Sequence, residues 1–146
     1  MREPIHDVCQ QHGITGTLLL AHEGINGTIA GTKDGIETVL SFLRTWPGLQ
    51  HLEYKLSAAR HQPFYRMKVK LKREIVTMGV PDLDPASQAG TYVPATEWNA
   101  LITDPDVVTI DVRNDYEVNI GTFESAVNPH TNTFSEFPEW VRQQSA

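Results

Sequence analysis

Three groups of residues have types and spacings that can do chemistry. In LLLAHEGINGTIAGT, Leu18 to Thr32, an apolar strand-like run breaks at a polar corner that holds His22, Glu23 and Asn26 among glycines. A histidine beside a carboxylate at a strand end can contact a base or a phosphate. A solvated corner is the competing reading, and the commoner one for such a pair. In RMKVKLKR, Arg66, Lys68, Lys70 and Lys72 alternate with Met67, Val69 and Leu71. On a strand this places the cations on one face, about 6.6 Å apart, comparable to phosphates along a nucleic-acid backbone. Lysines on an edge strand also discourage sheet-to-sheet aggregation, so the residues alone leave both roles open. Third, Asp111-Val112-Arg113 closes an apolar run. An acid and a guanidinium at that spacing can pair across a strand end and position the loop beyond, a role as often structural as catalytic.

The remaining chemical candidates are weaker. Cys9 is the single cysteine, so no internal disulfide forms. It falls on the apolar face of a helix with neither a cation nor a helix N-terminus beside it by sequence, which reads as a buried structural residue and not a nucleophile. His6, Cys9 and His12 invite a metal, but successive steps of three drift around a helix over about 120° and do not converge on one ion, so no metal is predicted. There is no phosphate-cradling glycine loop, no paired-cysteine zinc spacing and no nucleophile elbow.

The chain that must position these residues has 146 of them, 40% hydrophobic and 21% charged, enough to build a core and unlike a disordered segment. No apolar run approaches the roughly 20 residues of a membrane span, and the start, MREPIHDVCQQ, lacks the apolar block of a signal peptide. With one cysteine, a cytoplasmic protein is expected, with no membrane partner. The net charge of -6 is unevenly placed: residues 1–73 carry ten Lys/Arg against six Asp/Glu, and residues 74–146 carry two against twelve. Two modules with different electrostatic surroundings follow, and the basic one is where an anionic partner would bind.

Ile5, Val8, Cys9 and His12 recur at helical spacing, with Pro4 suited to a first turn and Gly13 to a stop. Thr15 to Ala21 and Asn26 to Ala30 read as two strands of a hairpin, turned by Gly24 and the Asn26-Gly27 pair, with Asn26 at home in the left-handed region. Ile36, Val39, Leu40 and Leu43 predict a second helix, capped by Thr32 or Asp34 and stopped at Pro47-Gly48. The alternating strand at 66–73 follows. Helix, strand, strand, helix, strand is a βαββαβ ferredoxin-like unit without its opening strand. That strand lies centrally, so its absence would leave neighbours without ladder partners and invite pairing with another chain, possible dimerisation included. Met1 is then expected to mark a truncation. Between Met78 and Pro94, prolines and glycines interrupt any period, which places the module boundary there. Beyond it, Trp98, Leu101 and Ile102 predict a short helix, and Val107 to Val112 a buried strand of the parallel kind.

These segments resemble a known family, the rhodanese-like enzymes that hydroxylate the wobble uridine of bacterial tRNA. The resemblance is carried by GTLLLAHEGINGTIAG, PFYRMKVKLKREIVTMGV, GTYV, EWNALITDPDVVTIDVRNDYEVNIGTF and FPEWVR, in order over nearly the whole chain. It implies an acylphosphatase-like domain over 1–77, a linker over 78–94 and the beginning of a rhodanese domain over 95–146. The fold class expected is thus α/β with an α+β front part. It also implies tRNA as partner, molecular oxygen as co-substrate, and RNA contact by Arg66, Lys68, Lys70 and Lys72, with His22, Glu23 and Asn26 as further candidates. Asp111, Arg113 and Glu117 fit the rhodanese pattern as supports of an active-site loop. Thr122 stands where most rhodaneses have His, as is usual in the hydroxylase family, and Ser125 where Gly usually precedes Ala126. The loop with the catalytic cysteine is expected beyond Ala146, so the chain alone is expected to be inactive. The glycine, valine and arginine pattern of an acylphosphatase anion site is absent, so that activity is not implied. A rhodanese-type sulfurtransferase and a non-catalytic RNA-binding module are the alternatives.

Overall fold

The computed structural model describes residues 2–80 and 90–144. It divides into two units, Met1–Ile75 and Val76–Ala146. The linker expected over 78–94 has its middle, 81–89, outside the described residues.

The first unit runs α1 (Arg2–Gln11), β1 (Thr15–Ala21), β2 (Gly24–Ala30), α2 (Lys33–Arg44) and β3 (Met67–Leu71). Helix α1 forms where Ile5 and Cys9 recur one turn apart, and both are fully buried; His12, beyond its end, is exposed. Helix α2 starts at Thr32, whose hydroxyl accepts the Gly35 N–H at 3.2 Å, and buries Val39, Leu40 and Leu43. The core joins Ile5, Cys9, Val39 and Leu43 of the helices to Leu18, Leu20 and Val69 of the sheet, with Ile14 at the turn between α1 and β1. Both helices therefore cover one sheet face, and burying a side chain of this size contributes about 1.5–3 kcal/mol each.

The sheet order is β2-β1-β3. β1 pairs antiparallel with β2 and parallel with β3, so the central vacancy expected for a missing strand is closed. The reason is the apolar β1 itself: with Leu18 and Leu20 buried, its backbone polar groups must be paired, and β3 supplies the second ladder. No central gap is left for a second chain to fill; among the described residues, the outer edges of β2 and β3 are the ones without a ladder partner. The link from α2 to β3 has no regular structure and is held by side chains. Arg44 donates to the Leu52 carbonyl and lies over the Tyr54 ring, and the Gln62 amide bonds Thr15 Oγ1.

The hairpin corner differs from the expectation. Its two turn residues are His22 and Glu23, because Ala21 already pairs with Gly24. Asn26 and Gly27, the strongest turn signal in the segment, sit inside β2 opposite Leu19 and Leu18, and Asn26 does not adopt a left-handed conformation. Gly27 is needed for closeness: at φ +155° a Cβ would lie 2.0 Å from the Thr17 carbonyl oxygen, and at Gly16, φ +132°, 2.2 Å from that of Thr28.

The second unit contains α3 (Trp98–Thr103), α4 (Asp115–Val118), a 3-10 turn (Phe134–Glu136) and α5 (Phe137–Gln144). The buried strand expected over Val107 to Val112 is not formed as such. It makes one parallel bridge, Ile110 to Val127, and Val108, Ile110 and Val112 are exposed. An apolar run becomes a buried strand only where partners lie on both sides, and among the described residues the 126–128 segment is its one ladder neighbour. Ring stacking holds the rest: Trp98 on Phe123 at 5.0 Å, and Phe137 between Phe134 and Trp140 at 5.7 and 5.8 Å.

Candidate functional site

The face of the first unit's sheet opposite the helices carries the polar positions of all three strands. Register makes two rows across it. Asn26, Leu19 and Lys70 form one, and Thr28, Thr17 and Lys68 the other. Neighbouring strands lie about 4.8 Å apart, so Asn26 and Lys70 are about 10 Å apart at the backbone, within the span of one nucleotide's contacts. Lys68, Lys70, Asn26 and Thr28 are exposed. Arg66 and Lys72 lie just outside β3 but continue its ladder: the Arg66 carbonyl accepts the Gly16 N–H at 3.0 Å, and the Lys72 N–H donates to Leu20 at 2.8 Å. The four cations thus keep strand spacing along one edge. As β3 is an edge strand, protection against aggregation is served by the same lysines.

The hairpin candidates separate. Asn26 joins the open face; His22 is exposed at the tip. The Glu23 carboxylate accepts the Ile75 N–H, which gives it a structural task. Sequence periodicity missed Lys55, Arg60 and His61, which line one cleft with Thr28 and Gln62 beside β2. The only advance signal was the positive excess of the front half, which counts charges without placing them. Cys9 is fully buried, and burial pushes its thiol up to about 11, so it is protonated at neutral pH.

In the second unit, Asp111 and Arg113 do pair. Arg113 Nε donates to Asp111 Oδ1 at 2.9 Å and Nη2 to Oδ2 at 2.6 Å, a bidentate contact, while Nη2 also reaches the Gly121 carbonyl at 2.6 Å. Thr122 Oγ1 donates to Asp111 Oδ2 at 2.7 Å. Arg113 first, and Thr122 next, hold the Asp111 carboxyl well below the usual carboxylate range. Glu117 acts apart from this cluster: its carboxylate accepts the Asn114 N–H at 3.3 Å and completes a capping box for α4. A second cluster was not foreseen. Asp115 Oδ1 receives Asn128 Nδ2 at 2.9 Å and His130 Nδ1 at 3.0 Å, fastening α4 to the 128–131 loop. Asn128 and His130 are thirteen and fifteen residues from Asp115, a separation at which no local pattern speaks.

Residues 1–75 match the family model of the UPF0176 acylphosphatase like domain. The chain belongs to that family. It is also similar, over nearly its whole length, to curated relatives named tRNA uridine(34) hydroxylase: 61% identical over 97% of the chain to that of Agrobacterium fabrum, 60% over 99% to that of Sinorhizobium medicae, and 59% over 98% to that of Teredinibacter turnerae. It spans just under half the length of these relatives, 45%, 46% and 44% respectively. The UPF0176 unit is the one that carries the cationic strand and the open sheet face. No helix among the described residues is long and apolar enough to cross a membrane.

Proposed function

We propose that this UPF0176 chain is part of a tRNA-modifying enzyme that hydroxylates C5 of the wobble uridine with molecular oxygen, its first unit holding the tRNA. The observation that carries the reading is the 61% identity, over 97% of the chain, to a protein named tRNA uridine(34) hydroxylase. The open face supports the division of labour. Lys68 and Lys70, extended by Arg66 and Lys72, follow the phosphates, and Asn26 and Thr28 offer hydrogen bonds in the same rows. His22 at the tip is a further contact.

The second unit is the opening portion of a rhodanese domain, 95–146, joined through 78–94. There Asp111, Arg113 and Thr122 hold the 121–122 segment in place, and Glu117 caps the helix that follows Arg113. These are supports and not reacting groups. The one thiol of the chain, Cys9, is buried and protonated, so it is not a nucleophile in this reading.

Deleting the encoding gene in its host and measuring 5-hydroxyuridine at the wobble position of bulk tRNA by mass spectrometry tests the assignment. Loss of the nucleoside is expected; an unchanged level overturns it. The binding role is tested separately with the chain itself: charge reversal at Lys68 and Lys70 abolishes a salt-dependent affinity for tRNA, and unchanged binding leaves those lysines only the edge-protecting role.

A further inference from the structure

Tyr65 is fully exposed, immediately before the cationic strand. An aromatic ring left in water costs hydration without returning packing, so its value must come from what it meets. It lines a cleft of about 520 Å³ with Gly16, Thr17, Phe64, Arg66 and Lys68. Phe64 beside it is half-buried, and Thr17 pairs with Lys68 in the row that runs on to Thr28. The lining of the cleft thus combines two aromatic residues, Phe64 and Tyr65, with two cations, Arg66 and Lys68, beside the small residues Gly16 and Thr17.

We infer that Tyr65 is a stacking platform for one unpaired base of a single-stranded RNA segment whose flanking phosphates lie on Arg66 and Lys68. The inference rests on the reading of this unit as the part that holds tRNA, and it names the side chain that takes a base. A duplex hides base faces within its stack and would use the cations alone, whereas splayed bases of a loop stack on aromatic side chains. Charge complementarity selects a polyanion, and the ring beside the cations selects one whose bases are free.

The test compares two probes on the full 146-residue chain by fluorescence anisotropy: a short oligouridylate and an abasic oligonucleotide of equal length. Tyr65→Ala weakens oligouridylate binding at least about fivefold, the lower end of what one stacked base contributes. It leaves the abasic probe and the salt slope unchanged, while Tyr65→Phe binds both probes as the unsubstituted chain does. Lys68→Glu lowers affinity for both probes. An unchanged melting temperature for Tyr65→Ala excludes a folding effect, as suits a ring outside the core. If Tyr65→Ala binds oligouridylate normally while Lys68→Glu does not, stacking is overturned and tRNA holding stands. If the unsubstituted chain binds neither probe at low salt, stacking is overturned, and tRNA holding is overturned with it only if intact tRNA is not bound either.

Discussion

Thr122 donates its hydroxyl to Asp111 at 2.7 Å, on the same carboxylate oxygen that takes Arg113 Nη2 at 2.6 Å. Asp111 is only 9% exposed, so a lost donor is not replaced freely by water. Thr122→Val is expected to destabilise the second unit by about 1–3 kcal/mol, the cost of leaving such a group unsatisfied. Thr122→Ser retains most of the stability. Urea denaturation followed by the fluorescence of Trp98 and Trp140 measures both.

The same cluster gives a pH dependence with a definite sign. The native Asp111 pKa is depressed, chiefly by Arg113, so the unfolded chain binds the proton more readily. The contribution is therefore fully present above the ordinary carboxylate range, about pH 4, and is lost as pH falls through the lower native value. Asp111→Asn should lower stability at neutral pH and flatten the acid limb. An unaltered acid limb would place the acid sensitivity elsewhere.

Ser125 adopts φ +62°, in the left-handed region. A Cβ in that region costs about 1–2 kcal/mol, a penalty that glycine would not incur. Ser125→Gly is expected to stabilise the chain by up to about 1 kcal/mol after the greater freedom of the unfolded glycine is deducted. A higher denaturation midpoint with an unchanged slope checks it.

At Gly27 the direction reverses. A methyl group 2.0 Å from the Thr17 carbonyl forces β2 away from β1, so Gly27→Ala should cost at least about 2 kcal/mol and loosen the row that holds Asn26 and Lys70. Calorimetry of the purified variant reads the loss, and amide exchange should report it first at Leu18 and Thr28.

If Lys68 and Lys70 meet phosphates as proposed, replacing both by Gln should lower the salt slope of tRNA binding by roughly 2, alike for different tRNA sequences. A slope that stays the same would remove these lysines from the interface.

Cys9, with its thiol pushed up to about 11 and fully buried, should resist alkylation at pH 8 in the native chain and react promptly in urea. Rapid native labelling, detected by intact-mass measurement, would contradict its place in the core.

What sequence made legible follows the reach of each signal. Periodicity is local, so α1, α2, β1 and the alternation around Val69 were all readable, and so was the pairing of Asp111 with Arg113 two residues away. The hairpin corner was misplaced because Asn-Gly is a turn signal only when the ladder allows it; here Gly27 is there for the close approach of Thr17, a contact made ten residues away. The Val107 to Val112 run was read as buried because its composition suits a central strand, yet burial depends on neighbours that composition does not count. The rows that unite Asn26 with Lys70 depend on a parallel pairing across some fifty residues, which strand order alone decides. Lys55, Arg60 and Tyr65 lie on a connection without a period, where only the folded shape assigns a neighbour.

The bond from the Ile75 amide to the Glu23 carboxylate fastens the last residue of the first unit to the tip of its own hairpin. The chain accordingly departs from an anchored spot, one residue along from His22, and not from a frayed strand end.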